Sequence, residues 1–442
     1  MNDRHSSGGE RHILARVIKY IWWPQTGADS PTCVPRNFMN RDNISLSLWV
    51  MILVGCLVAL TSFGLRSAFG LFLGPITMDF GWQREPLALA LAIQNIFWGL
   101  AQPFAGALCD RYGPRPVVIG GALIYALGIL AIPYSTDPWM MYLTMGVMAG
   151  IGIGATSFAI IMSALSKVVP GEKRSMVMGI VTASGSLGQM VVVPSVQSYI
   201  DATSWQDAIF AMAVTAAFVG AVALLLKAPA SQVSPGKQFN AWDTLRCAGS
   251  TPSYLLLTTG FFVCGFQVAF IGVHLPAFIV DNGLDPLLGA TALACIGLFN
   301  IIGSYAAGLW GNKNSKVVGL SFIYFARSLA TIIFITLPIT EISVLIFASV
   351  MGLLWLSTVP LTSGLVANFF GVRHMGMLFG IVFLSHQFGS FLGVWLGGLL
   401  FDMTGSYDIV WWISIILGVM AGIIHLPIKD RSYEGMMGQK GA

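Results

Sequence analysis

Gly106-Ala-Leu-Cys-Asp110-Arg111-Tyr-Gly113-Pro-Arg115 is a short charged stretch wedged between two apolar runs, 87–108 and 117–134. Each run is long enough to cross a bilayer, since about 20 helical residues span about 30 Å of hydrocarbon. Charge this dense between two membrane helices belongs at a water interface. Gly106 and Gly113 are expected to let the chain turn tightly there.

The rest of the chain agrees with that reading. Of 442 residues, 56% are hydrophobic and 10% are charged, whereas a soluble domain carries about 25% charged residues. The expected fold class is therefore an all-α polytopic membrane protein. Fifty glycines fit, because small residues let membrane helices approach closely. The cysteines at 33, 56, 109, 247, 264 and 295 contain no Cys-x-x-Cys pair. No structural disulfide, metal site or cofactor is expected from them.

From Leu46 onward twelve apolar segments follow: 46–72, 87–108, 117–134, 139–165, 175–199, 208–226, 254–280, 288–310, 317–337, 342–367, 375–400 and 409–427. A polar stretch holding Pro229, Pro235 and Gly236 divides them six and six. The expected organisation is a polar N-terminal segment 1–45, a six-helix bundle 46–227, a linker 228–253 with a short amphipathic helix near 239–246, a second bundle 254–428, and a tail 429–442. Within 1–45, the apolar patch 13–23 is interrupted by Arg16 and Lys19 and is too short to span. No small-residue cleavage site follows it, so it reads as a leader or an interfacial helix rather than a signal peptide.

Orientation follows from the basic residues. With the N-terminus in the cytoplasm, all 23 Lys and Arg fall inside except Arg84 outside and Arg66 and Arg327 within helices. That bias places both termini in the cytoplasm of a multi-pass protein of the plasma (bacterial inner) membrane.

The two halves repeat at an offset of 201 to 202 residues. Arg66-Ser-Ala-Phe-Gly-Leu-Phe-Leu-Gly-Pro75 aligns with Gln267-Val-Ala-Phe-Ile-Gly-Val-His-Leu-Pro276, Gly179-Ile-Val with Gly380-Ile-Val, and Gly188 with Gly389. Gly106 matches Gly308, while Asp110 and Arg111 become Asn312 and Lys313. Parallel six-helix repeats place a substrate near the midplane between the halves. The spacing Gly-x-x-x-Asp-Arg-x-Gly-x-Arg resembles the loop signature of the major facilitator superfamily between its second and third helices, with Pro114 where a basic residue is usual. The resemblance covers 46–428 and implies a fold of two six-helix bundles.

Glycine rows Gly146, Gly150, Gly154 and Gly389, Gly393, Gly397 each make a smooth helix face for packing or sliding. Asp110, with Gly106, Arg111, Gly113 and Arg115, forms a candidate conformational latch. It would cap the start of segment 11 near Met375, and the resemblance supports that role.

Buried charge is the sharpest signal. No Asp or Glu lies centrally in any segment, yet Arg66 and Arg327 do. An arginine at the bilayer centre costs about 2.5–3.5 kcal/mol or more, so each needs a partner or a cavity. For Arg66 the partner is an anionic substrate, or alternatively Asp79 or backbone carbonyls. Arg327 either reaches inward past a neighbour or satisfies carbonyls. His274 shares a face with Gln267, and His386 sits beside Gln387; imidazole can titrate near neutral pH, or merely pack. Arg66, Gln267, His274, Arg327, His386 and Gln387 are thus the candidate substrate-binding residues. Asn95, Trp98 and Gln102 on one face, and Thr182, Ser186 and Gln189 on another, line a hydrated path or join helices.

No P-loop, His/Cys cluster or paired carboxylates suggests catalysis, so an enzyme is not expected. Arg66-Ser-x-Phe-Gly-Leu-Phe, Arg174-Ser-x-x-x-Gly179 and Gly397-Gly-x-Leu-Phe-Asp402-x-Thr-Gly-Ser-Tyr407 resemble the monocarboxylate-porter and oxalate/formate-antiporter branch. That resemblance implies a monomeric secondary transporter of a small organic anion, a carboxylate. It would work by alternating access, with proton coupling or anion exchange. Its partners are then the substrate, a co-transported proton and the lipid bilayer, with no nucleic acid. An exporter of neutral or amphipathic compounds and a non-transporting sensor or scaffold are the alternatives.

Overall fold

The structure, a computed structural model, describes residues 46–432 apart from 167, 170, 227–240 and 372–374. The N-terminal segment 1–45, the linker up to residue 240 and the tail from 433 lie outside the described residues. Among those described there is no strand, and twelve helical spans are long and apolar enough to cross a membrane. They are α1 Leu48–Phe80, α2 Arg84–Cys109, α3 Pro114–Tyr134, α4 Pro138–Met162, α5 Met176–Ala202, α6 Trp205–Ala223, α7 Pro252–Asp281, α8 Pro286–Lys313, α9 Lys316–Thr336, α10 Glu341–Phe370, α11 Met375–Thr404 and α12 Asp408–His425. A nine-residue helix, Ala241–Gly249, precedes α7.

Hydrocarbon offers no hydrogen bonds, so each span satisfies its backbone internally and opens with residues suited to a helix start. Pro114, Pro138, Pro252 and Pro286 stand in first turns, where a missing N–H is harmless. Ser204, Asp285 and Ser315 accept from backbone N–H groups at three starts, and Thr340 with Ser343 forms a capping box at a fourth. Leu53, Leu123, Phe322 and Ile346 are exposed on outer faces, the arrangement lipid requires and water would penalise.

The pairing of spans has an internal symmetry. In the first half α1 packs on α5, α2 on α4 and α3 on α6; in the second α7 packs on α11, α8 on α10 and α9 on α12. The halves meet through α2 with α11 and α5 with α8, a pair of contacts that the same repeat interchanges. The repeat also places two helix breaks. One interrupts α4 at Thr156-Ser157, between Ala149–Ala155 and Phe158–Ser166. The other interrupts α10 at residues 355–357, between Glu341–Leu354 and Thr358–Phe370.

The charged stretch differs from expectation in one respect. The α2 helix runs on through Gly106 to Tyr112, and the reversal is made at Gly113 alone, at φ 83° and ψ 168°. Pro114 then starts the next helix, so Gly106 has no turning role. The side chain of Asp110 lies outside the described residues, as do residues 372–374 before α11. The two glycine rows face neighbouring helices closely, against backbone except at Gly397, which meets the His274 ring. A methyl on Gly150 would come within 2.6 Å of the Gln94 carbonyl oxygen on α2, and one on Gly393 would collide with the Phe266 carbonyl on α7.

Candidate functional site

A cavity of about 120 Å³ lies at mid-depth between the halves, walled by parts of α1, α2, α4, α5, α7, α8, α10 and α11. Both helix breaks adjoin it, through Phe158 on one side and Trp355 and Leu356 on the other. Six phenylalanines (Phe63, Phe69, Phe158, Phe261, Phe379, Phe383) and the indoles of Trp98 and Trp355 are in its wall.

Arg66 borders the cavity, one helical turn before α1 tightens into 3-10 geometry at Phe69–Phe72. Its Nη2 donates to Asn95 Oδ1 at 2.9 Å, and its guanidinium carbon stands 4.5 Å from the Trp98 ring centroid. Arg66 Nε has no hydrogen-bond partner. Among the described residues the one ion pair is Arg84 with Asp281, so no carboxylate neutralises Arg66. Asp79 instead accepts from Trp205 Nε1 and Gln206 Nε2 at 3.0 and 2.9 Å. Asn95 and Trp98, one turn apart, are brought together with Arg66 by the face they share on α2.

Of the other candidates only His386 reaches the cavity wall. Its ring stacks on Phe383 at 5.8 Å, Phe383 meets Trp98 edge-on at 5.4 Å, and its Nδ1 lies 3.2 Å from Gln387 Oε1. An aromatic chain thus links Arg66 on the first half to His386 on the second. Gln387 itself stands outside the wall, beside Gly99 at the α2–α11 contact.

Gln267, His274 and Arg327 also lie outside the wall. Gln267 Nε2 donates to the Ser414 carbonyl at 3.1 Å, tying α7 to α12. Arg327 is fully buried and grips the α10 break: Nε and Nη2 donate to the Leu354 carbonyl at 3.2 and 2.6 Å, and Nη2 also to the Trp355 carbonyl. Its Nη1 reaches Cys264 Sγ at 3.4 Å and Gln267 Oε1 at 3.5 Å. A helix break frees carbonyls inside the membrane, and a guanidinium fork is suited to capturing two at once. That is a carbonyl-holding position, not a cavity-lining one.

His274 belongs to a second cluster, at the end of the spans opposite Gly113. Arg84 forms a two-pronged pair with Asp281, both distances 2.6 Å, and its Nη1 also donates to the Tyr407 hydroxyl at 2.8 Å. Asp402 accepts the backbone N–H groups of Arg84 and Glu85 at 3.0 and 2.6 Å, capping α2 from α11. Trp395 Nε1 donates to Glu85 Oε1 at 2.9 Å. Because the Val394 carbonyl only accepts, His274 Nε2 carries a proton toward it at 2.8 Å. With the ring neutral, Nδ1 accepts from the Tyr407 hydroxyl at 3.1 Å and both nitrogens are satisfied. Burial pushes the Tyr407 phenol well up, so it stays a hydroxyl. Just below, the halves touch so closely that a methyl on Gly70 would come within 2.6 Å of the Gly272 carbonyl oxygen.

Further contacts cross between α5 and α8. Gln189 Nε2 donates to the Leu293 carbonyl at 2.9 Å, and Asn300 Nδ2 to Ser186 Oγ at 2.8 Å. Sequence reasoning had named Ser186 and Gln189 but not their partners. It also missed the phenylalanine wall and the Arg84 cluster, for which the apolar runs and an isolated outer arginine gave little sign.

The family profile described as Major Facilitator Superfamily matches residues 55–370. Monocarboxylate transporter 13 of Rattus norvegicus is 26% identical over 271 residues, 60% of this chain and 61% of its own length. The oxalate:formate antiporter of Oxalobacter formigenes is 24% identical over 278 residues, 61% of this chain and 64% of its own. An uncharacterized MFS-type transporter, YcxA, of Bacillus subtilis (strain 168) is 26% identical over 293 residues, 64% of this chain and 70% of its own. Among solved structures, a bacterial homologue of the human lysosomal transporter Spinster, inward-facing and occupied, superposes with a TM-score of 0.67. That match covers 88% of this chain and 99% of the other at 13% identity, a likeness of fold.

Proposed function

Because this chain belongs to the Major Facilitator Superfamily, we propose that it is a secondary active transporter of a small organic anion, a carboxylate. It works as a monomer by alternating access, in a plasma or bacterial inner membrane with both termini in the cytoplasm. The observation that carries the reading is Arg66: a guanidinium beside a cavity between the halves, with one amide acceptor and no carboxylate partner. A cation held in low dielectric without a counterion is poised for an anion that supplies one. The relatives named for monocarboxylates and for oxalate and formate support this class. The coupling is proton symport or anion exchange. Among the described residues no acidic side chain lines the cavity, so a symported proton would ride on His386 or on the substrate carboxylate itself.

Reconstituted protein should take up radiolabelled monocarboxylates into proteoliposomes. An imposed pH gradient accelerates uptake if protons are coupled, and internal anion accelerates it if exchange is. Flux of neutral amphipathic solutes in place of acids would favour the exporter alternative. Absence of any flux in folded protein would favour a sensor.

On this orientation the Arg84 cluster is the outer gate, closed here. Its ion pair is partly exposed, which limits its worth to about 1 kcal/mol. Arg84→Gln should therefore raise the outward-open population roughly fivefold. The readout is faster labelling of a cysteine at the cavity residue Val273 by an impermeant thiol reagent added from outside. Unchanged labelling would show that the Gly70–Gly272 contact, and not the polar cluster, closes this end.

A further inference from the structure

The cavity wall is divided unequally between one polar pole and an apolar remainder. Among its polar side chains, Ser67 donates to the Phe63 carbonyl, Gln94 to the Met145 carbonyl, Asn95 to the Leu91 carbonyl and Gln189 to the Leu293 carbonyl. Those donors are committed inside the protein. Arg66 Nε and Trp98 Nε1 are not: both are buried without a partner, and the Arg66 guanidinium lies over the Trp98 ring. Orphaned buried donors are costly, so two of them on adjoining residues of a cavity wall call for an acceptor, which reaches them as the side-chain contacts that now cover both atoms shift. The titratable groups of the wall are Arg66 and His386, and His386 Nδ1 already faces Gln387 Oε1. The remainder is apolar, ring faces and edges together with aliphatic side chains such as Leu91, Val268, Val273 and Leu293, and His386 touches both Phe261 and Phe383.

We propose that the cavity takes a monocarboxylate carried on a flat aromatic body, its carboxylate held between the Arg66 guanidinium and the Trp98 indole N–H, and that it rejects dicarboxylates. This rests on the organic-anion reading above and narrows it. One cation balances one carboxylate. While His386 is neutral, a second carboxylate would be carried to the phenylalanine wall with no counterion, where burying an unpaired charge is prohibitive. An aromatic body, by contrast, gains offset and edge-on contacts from the six phenylalanines that a methyl group cannot make. Trp98 is a specificity-determining residue in this scheme. Its ring holds Arg66 in place, and its N–H is the donor that distinguishes it from phenylalanine.

The test is equilibrium binding to the purified full-length protein, with benzoate, acetate, phthalate and benzyl alcohol as probes. Benzoate should bind at least about tenfold more tightly than acetate, which lacks the ring, than phthalate, which adds a carboxylate, and than benzyl alcohol, which is neutral. Trp98→Phe keeps a ring and removes the N–H, and should weaken benzoate about five- to tenfold while the thermal midpoint stays near that of the wild type. Acetate or phthalate binding as tightly as benzoate would overturn this inference and leave the organic-anion reading standing. Benzyl alcohol binding as tightly as benzoate, or no acid binding at all, would overturn both. Wild-type benzoate affinity in folded Trp98→Phe would remove the indole N–H from the site.

Discussion

Arg66→Ala should weaken carboxylate binding by more than an order of magnitude while leaving the protein inserted and folded. In the ligand-bound state the guanidinium would meet a carboxylate by two parallel hydrogen bonds inside a cavity walled by hydrocarbon, where charge pairs are little screened. Truncating one member of such a pair costs about 2–5 kcal/mol, so affinity should fall about thirtyfold to several thousandfold. The unliganded protein loses far less, because there Arg66 makes one side-chain hydrogen bond, to Asn95, and two ring contacts, to Trp98 and Phe63. Arg66→Lys should recover only part of the binding, since an ammonium neither forks across a carboxylate nor lies flat on an indole. The discriminating measurement pairs the dissociation constant of benzoate, or of the best acid in the uptake series, with the thermal midpoint of each variant. Wild-type affinity in Arg66→Ala would end the anion-site reading and make a neutral-solute exporter the better account.

What the sequence disclosed, and what it withheld, follows from the range of each interaction. A span is a local fact, twenty-odd apolar residues in a row, so the helices could be read directly. The 201-residue offset tied Arg66 to Gln267, and in the structure it also relates the α4 break at Thr156-Ser157 to Ser357-Thr358 in α10. Those pairs are hydroxyl-rich and could have been noticed as a repeat. Arg66 was visible because an arginine deep in a span is expensive wherever the helix points.

The Arg84 cluster was not visible. Arg84 meets Asp281 across 197 positions and Asp402 across 318, and nothing in either neighbourhood announces the other. The motif around Asp110, at the opposite end, is contiguous and so stands out in the sequence. His274 was read as a possible titrating ligand because its face on α7 was known. Its partners, Val394 and Tyr407, are 120 and 133 positions away. Gly106 misled for a local reason: glycine permits a turn but does not compel one, and the helix continues through it to Tyr112, where Gly113 makes the reversal before Pro114.

Arg327→Met is the converse of the Arg66 substitution and should unfold the protein before it weakens binding. Arg327 is completely covered, and its Nε and Nη2 hold the Leu354 and Trp355 carbonyls that the interruption of α10 leaves without helical donors. Methionine fills similar space and donates nothing, so two buried carbonyls are orphaned at about 1–3 kcal/mol each. Partial rescue by neighbouring groups brings the expected loss to about 2–5 kcal/mol, read as a thermal midpoint lower by roughly 4–10 °C. Lysine at the same position supplies one point of charge for two carbonyls and should fall between methionine and arginine. The effect on binding is indirect, because Trp355 and Leu356 lie in the cavity wall while Arg327 does not. Folded Arg327→Met should therefore bind the carboxylate with an affinity within a few-fold of wild type, whereas Arg66→Ala weakens binding and keeps its midpoint. The two arginines were alike in the sequence, each a lone charge in an apolar segment. The double comparison separates a charge held by the fold from a charge held open for a ligand. If Arg327→Met melts like the wild type and yet fails to bind, those roles are exchanged and the carbonyl-holding account of Arg327 is wrong.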